Sequence, residues 1–390
     1  MRRSDTRVLT THAGSLPRPA PLTDAFVRQS RGEPVDTASL AQLVESSTRQ
    51  VVERQRTAGI DVPNDGEQSR ESFFTYVRHR LSGFGGESDR PVMRDLLRYP
   101  GFVEQKLPAF SRPMVSLMRA PSAVGPVRYL DPSVAAREVE RYLDILAALN
   151  EGPIESFMTA PSPGIVAAAM QNAYYPDLAS YVGALADALR FEYEAIVQHG
   201  LVLQVDAPDL AMERHTMFAD KPLEEYLAFV DVVVDALNRA LERCPPDRVR
   251  LHVCWGNYEG PHDLDVPLEA LLPHLYRARV GALVLSMANP RHAHEHRCFA
   301  LQPLPADWLL IAGVIDTTTN YVEHPEVVAD RLERIAAAVG DPRRIIAGTD
   351  CGFDTAAGLG DVAEDVVWAK LRAMREGADL ATHRLFGGGS

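Results

Sequence analysis

Short runs of β-branched and apolar residues alternate along this chain with longer segments whose apolar positions recur at helical spacing. The runs fall near 8–12, 60–64, 156–159, 201–206, 249–254, 282–286, 309–314 and 345–349. Eight such runs, each followed by a helical pattern, predict a closed parallel sheet. Several are almost wholly apolar, as in Gly281-Ala282-Leu283-Val284-Leu285, which suits strands covered by helices on one side and by a barrel core on the other. Leu40, Leu43, Val44, Val51 and Val52 share a helical face, as do Tyr226, Leu227, Val230, Val233, Val234, Leu237 and Leu241. Pro325 marks a helix start and Gly340 its end. The last helix is expected over 362–376, with Trp368 and Leu371 on one face.

One connection breaks the rhythm. Between the second and third runs lies the segment 65–155, far longer than an ordinary βα loop. It is expected to form a lid or small insertion over the barrel mouth within a single domain spanning 1–386. The Gly-rich end, 387–390, reads as a disordered tail.

Composition changes this picture little. The chain has 390 residues, 46% hydrophobic and 24% charged, which is ordinary for a globular protein. An α/β barrel with insertions reaches this length as one domain. Four cysteines without paired short spacing point to reduced thiols rather than a disulfide framework. The formal net charge of −13 argues against nucleic acid or an anionic membrane as partner. No secretory leader is visible, and the apolar stretches fall well short of a membrane span. A cytoplasmic location follows as the expectation; homo-oligomerisation is left open.

Chemistry concentrates where predicted strands run out into loops. His252 and Cys254 are two apart, so both side chains leave the same face of a strand, here toward the barrel interior at its carboxyl end. Cys351 follows the last strand and approaches the same rim. Imidazole and thiolate are soft ligands that suit zinc, and three protein ligands leave a position for substrate. The competing reading is a histidine and two cysteines buried as core residues. Carboxylates also gather at strand ends: Asp65 and Glu67 after the second run, Asp206, Asp316, and Asp350. They could bind an ammonium group, orient a metal-bound histidine or move protons; capping of loops is the alternative. In Thr11-His12-Ala13-Gly14-Ser15-Leu16-Pro17-Arg18-Pro19, a small-residue turn with a hydroxyl and an arginine could grip an anion. Trp255, Asn257 and Tyr258 extend the loop after Cys254 and could shape a pocket for an electrophile, with packing as the alternative for Trp255. The segment Arg291-His292-Ala293-His294-Glu295-His296 reads as a solvated loop rather than a metal site.

Together these fragments resemble the cobalamin-independent methionine synthase superfamily, and within it the short single-barrel branch that includes the epoxyalkane:coenzyme M transferases. The resemblance rests on the N-terminal turn, Asn64-Asp65-Gly66-Glu67-Gln68-Ser69, His252-Val253-Cys254-Trp255-Gly256-Asn257-Tyr258, Ala288-Asn289-Pro290-Arg291-His292, Gly313-Val314-Ile315-Asp316 and Gly348-Thr349-Asp350-Cys351-Gly352-Phe353. It implies a TIM (β/α)8 barrel with a long insertion after strand 2. It also implies zinc held by His252, Cys254 and Cys351, and transfer of a methyl or epoxide-derived alkyl group to a small-molecule thiol from an electrophilic donor. By the same resemblance Asp206 holds the thiol substrate's amino group, and His12, Ser15 and Arg18 belong to the thiol pocket. Glu67, Asp316 and Asp350 are the candidates for catalytic acid–base work, and Asp65 for substrate binding.

The chain departs from the family pattern at one ligand. Where the branch carries glutamate before Ala-Asn-Pro-Arg, this sequence has Met287, and a neutral thioether is a poor zinc ligand beside a carboxylate. Water or substrate at the vacant position is the preferred reading. Substitution by Glu67 or by a histidine of the 292–296 loop, or weakened metal binding, are the others. The residues after Gly313-Val314-Ile315-Asp316 are Thr317-Thr318-Thr319, without the histidine that serves the folate-using enzymes, which argues against methyltetrahydrofolate as donor. Two rival readings follow: a metal-free lyase or decarboxylase on the same barrel, and a non-catalytic homologue that binds a small thiol.

Overall fold

The structure, a computed structural model, describes residues 1–106, 113–118, 120–149 and 151–387. Among the described residues, nine strands appear in chain order: β1 (Leu9–Thr10), β2 (Phe84–Gly85), β3 (Ser122–Ala123), β4 (Phe157–Pro161), β5 (Val202–Asp206), β6 (Val249–Val253), β7 (Ala282–Leu285), β8 (Leu309–Ile315) and β9 (Ile345–Thr349). Seven of them form one parallel sheet in the order β1-β9-β8-β7-β6-β5-β4. Every residue of these seven strands is buried, as expected of a sheet covered on both faces. The architecture is α/β and TIM-barrel-like.

The expected second strand, 60–64, is not a strand. Its segment nevertheless lies between the two edge strands of the sheet. Val62 N–H donates to Thr10 O (3.0 Å), and Phe157 N–H donates to Pro63 O (3.1 Å). Two local features prevent a regular ladder. Pro63 has no N–H to give, and the Asp61 carboxylate accepts the Thr10 N–H at 2.9 Å, doing with a side chain what a strand neighbour does with its backbone.

The helices carry their own signals. Asp36 and Asp177 cap Thr37–Thr57 and Leu178–Gln198 by accepting the N–H groups of Ser39 and Ser180. Helix Pro325–Val339 starts and stops as its sequence indicates, with Gly340 left-handed at φ 83°. The last helix, Glu364–Phe386, runs ten residues beyond its expected end. Gly377, an interior weak point by propensity, is retained there because a Cβ would collide with Val328 of Pro325–Val339. The glycine lets two helices pack closely, and that packing carries the helix onward. Of the tail 387–390, only Gly387 lies within the described residues.

Among its described residues, the segment 65–155 forms no barrel strand. It holds the small antiparallel pair β2–β3 and several short helical turns. It also holds the helix Ser133–Ala147, whose Glu138 pairs with Arg70 (3.1 Å) and Arg80 (2.8 Å), and Arg80 ties the segment to Glu192 of Leu178–Gln198 (2.8 Å). Among the described residues, no helix is long and apolar enough to cross a membrane.

Candidate metal centre and substrate cavity

Strand β6 supplies three inward-facing positions at period two: Arg250 and His252 within it, and Cys254 one residue past its end. Arg250 is the lowest. Its guanidinium donates to Gln204 Oε1 (2.8 Å), Thr11 Oγ1 (3.2 Å) and His12 O (2.9 Å), and burial lowers its pKa to about 9. A period-two reading from His252 finds this residue in the sequence, and it plugs the barrel beneath the site.

His252 lies beside Asp206 in the β5–β6 register. Its Nδ1–H donates to Asp206 Oδ1 at 2.9 Å, while Nε2 is buried without a partner. That bond fixes the tautomer and leaves the Nε2 lone pair open, the usual arrangement of a metal-ligating histidine and its carboxylate. Burial alone would lower the His252 pKa; the Asp206 bond and the Cys254 thiol outweigh it and raise it to about 10. Cys351, two residues beyond β9, brings its sulfur to 3.9 Å from Cys254 Sγ. Ligand atoms of His252, Cys254 and Cys351 all lie within 4.8 Å of one another. The Cys351 thiol and the His252 ring hold the Cys254 thiol well below its usual range. The Cys254 bond and burial push Cys351 up.

These residues fit zinc. Two thiolates on a tetrahedral zinc, each at ~2.3 Å, sit ~3.8 Å apart, close to the sulfur separation found here. The orphaned Nε2 supplies the third donor.

The cluster opens on a cavity of about 650 Å³. Ser15, Glu67, Asp206, His252, Cys254, Asn257, Tyr258 and Cys351 all line it. Glu67 has φ 56°, a left-handed conformation that costs a side chain on the order of 1–3 kcal/mol. Thr159 Oγ1–H donates to Glu67 Oε1 at 3.1 Å, and Oε2 is buried with no partner. A Cβ on Gly14 (φ 133°) would sit 2.5 Å from Oε1, so glycine is needed there for the carboxyl to enter the cavity. Burial and then the Asp206 charge push the Glu67 pKa up to about 8. Asn257 Nδ2 donates to Gly352 O and accepts from Thr317 at Oδ1, tying the loops after β6 and β9 together.

Other sequence candidates sit elsewhere. Arg18 is spent on the protein: it pairs with Asp354 (2.9 Å) and donates to Arg70 O and Glu67 O, which steadies the Glu67 turn from behind. His12 lies below the cavity. Its Nε2–H donates to Gln55 (2.7 Å), its Nδ1 accepts from Gly14 N–H, and burial lowers its pKa to about 4. Asp65 accepts the Glu67 N–H, and Asp316 accepts from Thr318 and Thr319; both cap their turns. Asp350 accepts the N–H groups of Met287, Ala288 and Asn289 and the Asn289 side chain, so its oxygens hold the loop after β7. Trp255 is buried, donates to Val266 O (2.7 Å) and stacks on His292 at 4.0 Å, so it packs rather than lines the cavity. Met287 is buried in the hydrophobic core.

The His-rich segment is only in part the solvated loop expected of it: Arg291 and His294 are exposed, whereas His292 and Glu295 are buried. His292 is buried between Asp265 (2.9 Å) and Glu295 (2.8 Å). Asp265 also takes His262 (2.9 Å) and lies 3.0 Å from the His215 ring. With both nitrogens engaged, His292 is not free to fill the place left by Met287. The signal missed was Asp265, 27 positions away in sequence.

No family model matches the chain. Its sequence is 26% identical over 350 residues to a methionine synthase of Sulfolobus acidocaldarius, covering 88% of this chain and 85% of that one. It is 24% identical over 382 residues to a methionine synthase of Sulfurisphaera tokodaii, covering 96% and 93%. In fold it is similar to a B12-independent methionine synthase from Shewanella sp. W3-18-1 in complex with selenomethionine, with a TM-score of 0.74 and 20% identity over 98% of this chain and 99% of that one. A putative vitamin-B12-independent methionine synthase from Listeria monocytogenes gives a TM-score of 0.61 with 19% identity, over 96% and 99%. Likeness of sequence along most of the chain, joined to a similar fold, supports a relationship to the cobalamin-independent methionine synthase superfamily.

Proposed function

We propose that the protein is a zinc-dependent thiol alkyltransferase that methylates a small-molecule thiol. The observation that carries this reading is the buried Nε2 of His252, without a partner, beside two cysteine sulfurs 3.9 Å apart at the floor of a cavity. The relatives named methionine synthase support methyl as the group transferred.

His252 Nε2, Cys254 Sγ and Cys351 Sγ would hold the zinc, which when bound supplies Lewis acidity that brings a thiol's pKa into the neutral range. The rest falls to the chain's own groups. Asp206 Oδ1 orients the His252 ring. Its Oδ2, which has no hydrogen-bond donor among the described residues, can face a substrate ammonium together with Glu67. Glu67, with a pKa near 8, can hold a proton at neutral pH and release it from Oε2. Asn257 keeps the loops bearing Cys254 and Cys351 in register.

The test is elemental analysis of the purified protein joined to a methyl-transfer assay over a panel of thiols that includes L-homocysteine. About one zinc per chain and zinc-dependent thiol methylation are expected. Full turnover after complete removal of metal overturns the reading.

A further inference from the structure

Above its polar floor the cavity changes character. Phe73, Met93, Leu96, Phe102, Met114 and Leu117 line this outer part, and all six come from the long segment after 65. They are half-buried, so they present carbon and thioether surface without filling the space themselves. Of the cations that line the cavity, Arg31 is exposed and two are paired. Arg90 pairs with Glu213 at 2.6 Å, both buried, and Lys106 pairs with Glu259. A donor bearing phosphate or several carboxylates would meet a mostly apolar wall there and would lose hydration for little gain in partners. A volume of about 650 Å³ falls in the range that holds drug-sized ligands, more than an amino-acid-sized thiol at the floor requires. Methionine side chains are flexible and polarisable, so such a wall adapts to more than one apolar shape.

We propose that this outer chamber binds the second reactant, and that this reactant is an uncharged methyl donor with an apolar body, an alkyl chain or an aromatic ring. The proposal rests on the thiol-methylation reading above and adds the class of donor. In the reaction the thiolate sulfur attacks the methyl carbon and a C–S bond forms. The bond from that carbon to the donor's oxygen breaks, and its electron pair stays on the oxygen. The thiol proton balances the departing anion, and no oxidant or reductant takes part. The chamber's task is to hold the apolar remainder of the donor so that its methyl group reaches the floor.

A homologous series of methyl alkanesulfonates tests this, because the transferred group stays constant while the tail grows. The zinc-loaded protein and L-homocysteine, or whichever thiol the panel identifies, would be assayed with methyl methane-, butane- and hexanesulfonate, after subtraction of the uncatalysed rate. The anionic monomethyl sulfate serves as the charged control. Each added methylene that is buried is expected to raise kcat/KM about fourfold, and the charged control is expected to be the poorest donor. Leu96→Lys is expected to flatten the dependence on tail length. A flat or falling series, with transfer from methyl methanesulfonate intact, overturns the apolar-donor inference while leaving thiol methylation standing. A charged control better than the long-tailed esters does the same. Absence of transfer from every member, with zinc in place, overturns the parent reading and this inference with it.

Discussion

Two buried clusters hang on the loop that follows β6, built from the same kinds of residue and suited to different work. At the floor of the cavity, His252, Cys254 and Cys351 leave an imidazole nitrogen unpaired and two sulfurs facing each other. Behind that loop, His262, His292 and Asp265 also come within ligand distance of one another, but there both nitrogens of each ring are bonded, and Asp265 Oδ1 lies 3.0 Å from the His215 ring. His262 donates to Asp265, and His292 lies between Asp265 and Glu295. The rings also pack, Trp255 on His292 at 4.0 Å and Tyr258 on His262 at 4.2 Å. Rings whose two nitrogens are both bonded form a brace; a ring that keeps one nitrogen in reserve beside a cavity belongs to a site. The brace holds the segment on which Cys254, Asn257 and Tyr258 are presented.

The sharpest way to break this comparison is to remove the sulfurs. Cys254→Ser with Cys351→Ser should reduce bound zinc from about one per chain to a small fraction and cut thiol methylation by roughly three orders of magnitude. Elemental analysis of the double variant decides it, and a full zinc complement would show that the metal sits elsewhere, with the second cluster the first place to look. Asp265→Asn comes next. It takes the charge from beneath the two rings bonded to it, and breaking a buried pair of this kind costs about 3–5 kcal/mol, read by urea unfolding. Zinc should stay with the protein; loss of zinc with unchanged stability would reverse the two assignments.

A smaller effect follows from pH. Burial would lower the His292 pKa, but Asp265 and Glu295 raise it from 6.5 to about 9, and His262 is raised as well. A pKa raised on folding contributes stability that is fully present below the unfolded value and lost as pH rises through the folded one. Stability should therefore decline between pH 6.5 and about 9, by on the order of 3 kcal/mol from His292, and the decline should be largely absent in Asp265→Asn. Wild-type stability that is flat over that window would show the brace to be uncharged. The smallest effect concerns the departure at 287. Met287→Glu should raise zinc affinity on the order of tenfold by restoring a carboxylate, while destabilising the metal-free protein because an unpaired acid enters the core. Equal zinc retention by both proteins in a chelator titration would count against it.

Periodicity alone was enough for much of the barrel. Seven of eight strand runs fall within a residue or two of the observed strands, since continuous apolar runs survive only where both sheet faces are covered. The eighth, 60–64, looked the same but contains Pro63 and is met by the Asp61 carboxylate, so its backbone bonds irregularly. Helix ends were legible where caps mark them, as at Gly340, and illegible where packing overrides propensity, as at Gly377. The spacing of His252 and Cys254 announced a shared face, and Cys351 a shared rim. Which acids would turn toward the cavity was not announced. Glu67 and Asp206 do, whereas Asp65 and Asp316 bond to their own loops and Asp350 to the loop after β7.

The amino-acid order by itself determined the α/β barrel, the strand ends that carry chemistry and the three candidate ligands, because period-two alternation and chain direction are local properties. Only the folded chain decided that Arg18, His12 and Trp255 are supports, that His292 is locked to Asp265, and that an apolar chamber lies over a polar floor. Those outcomes depend on which atoms from distant segments satisfy one another, and no local pattern encodes that choice.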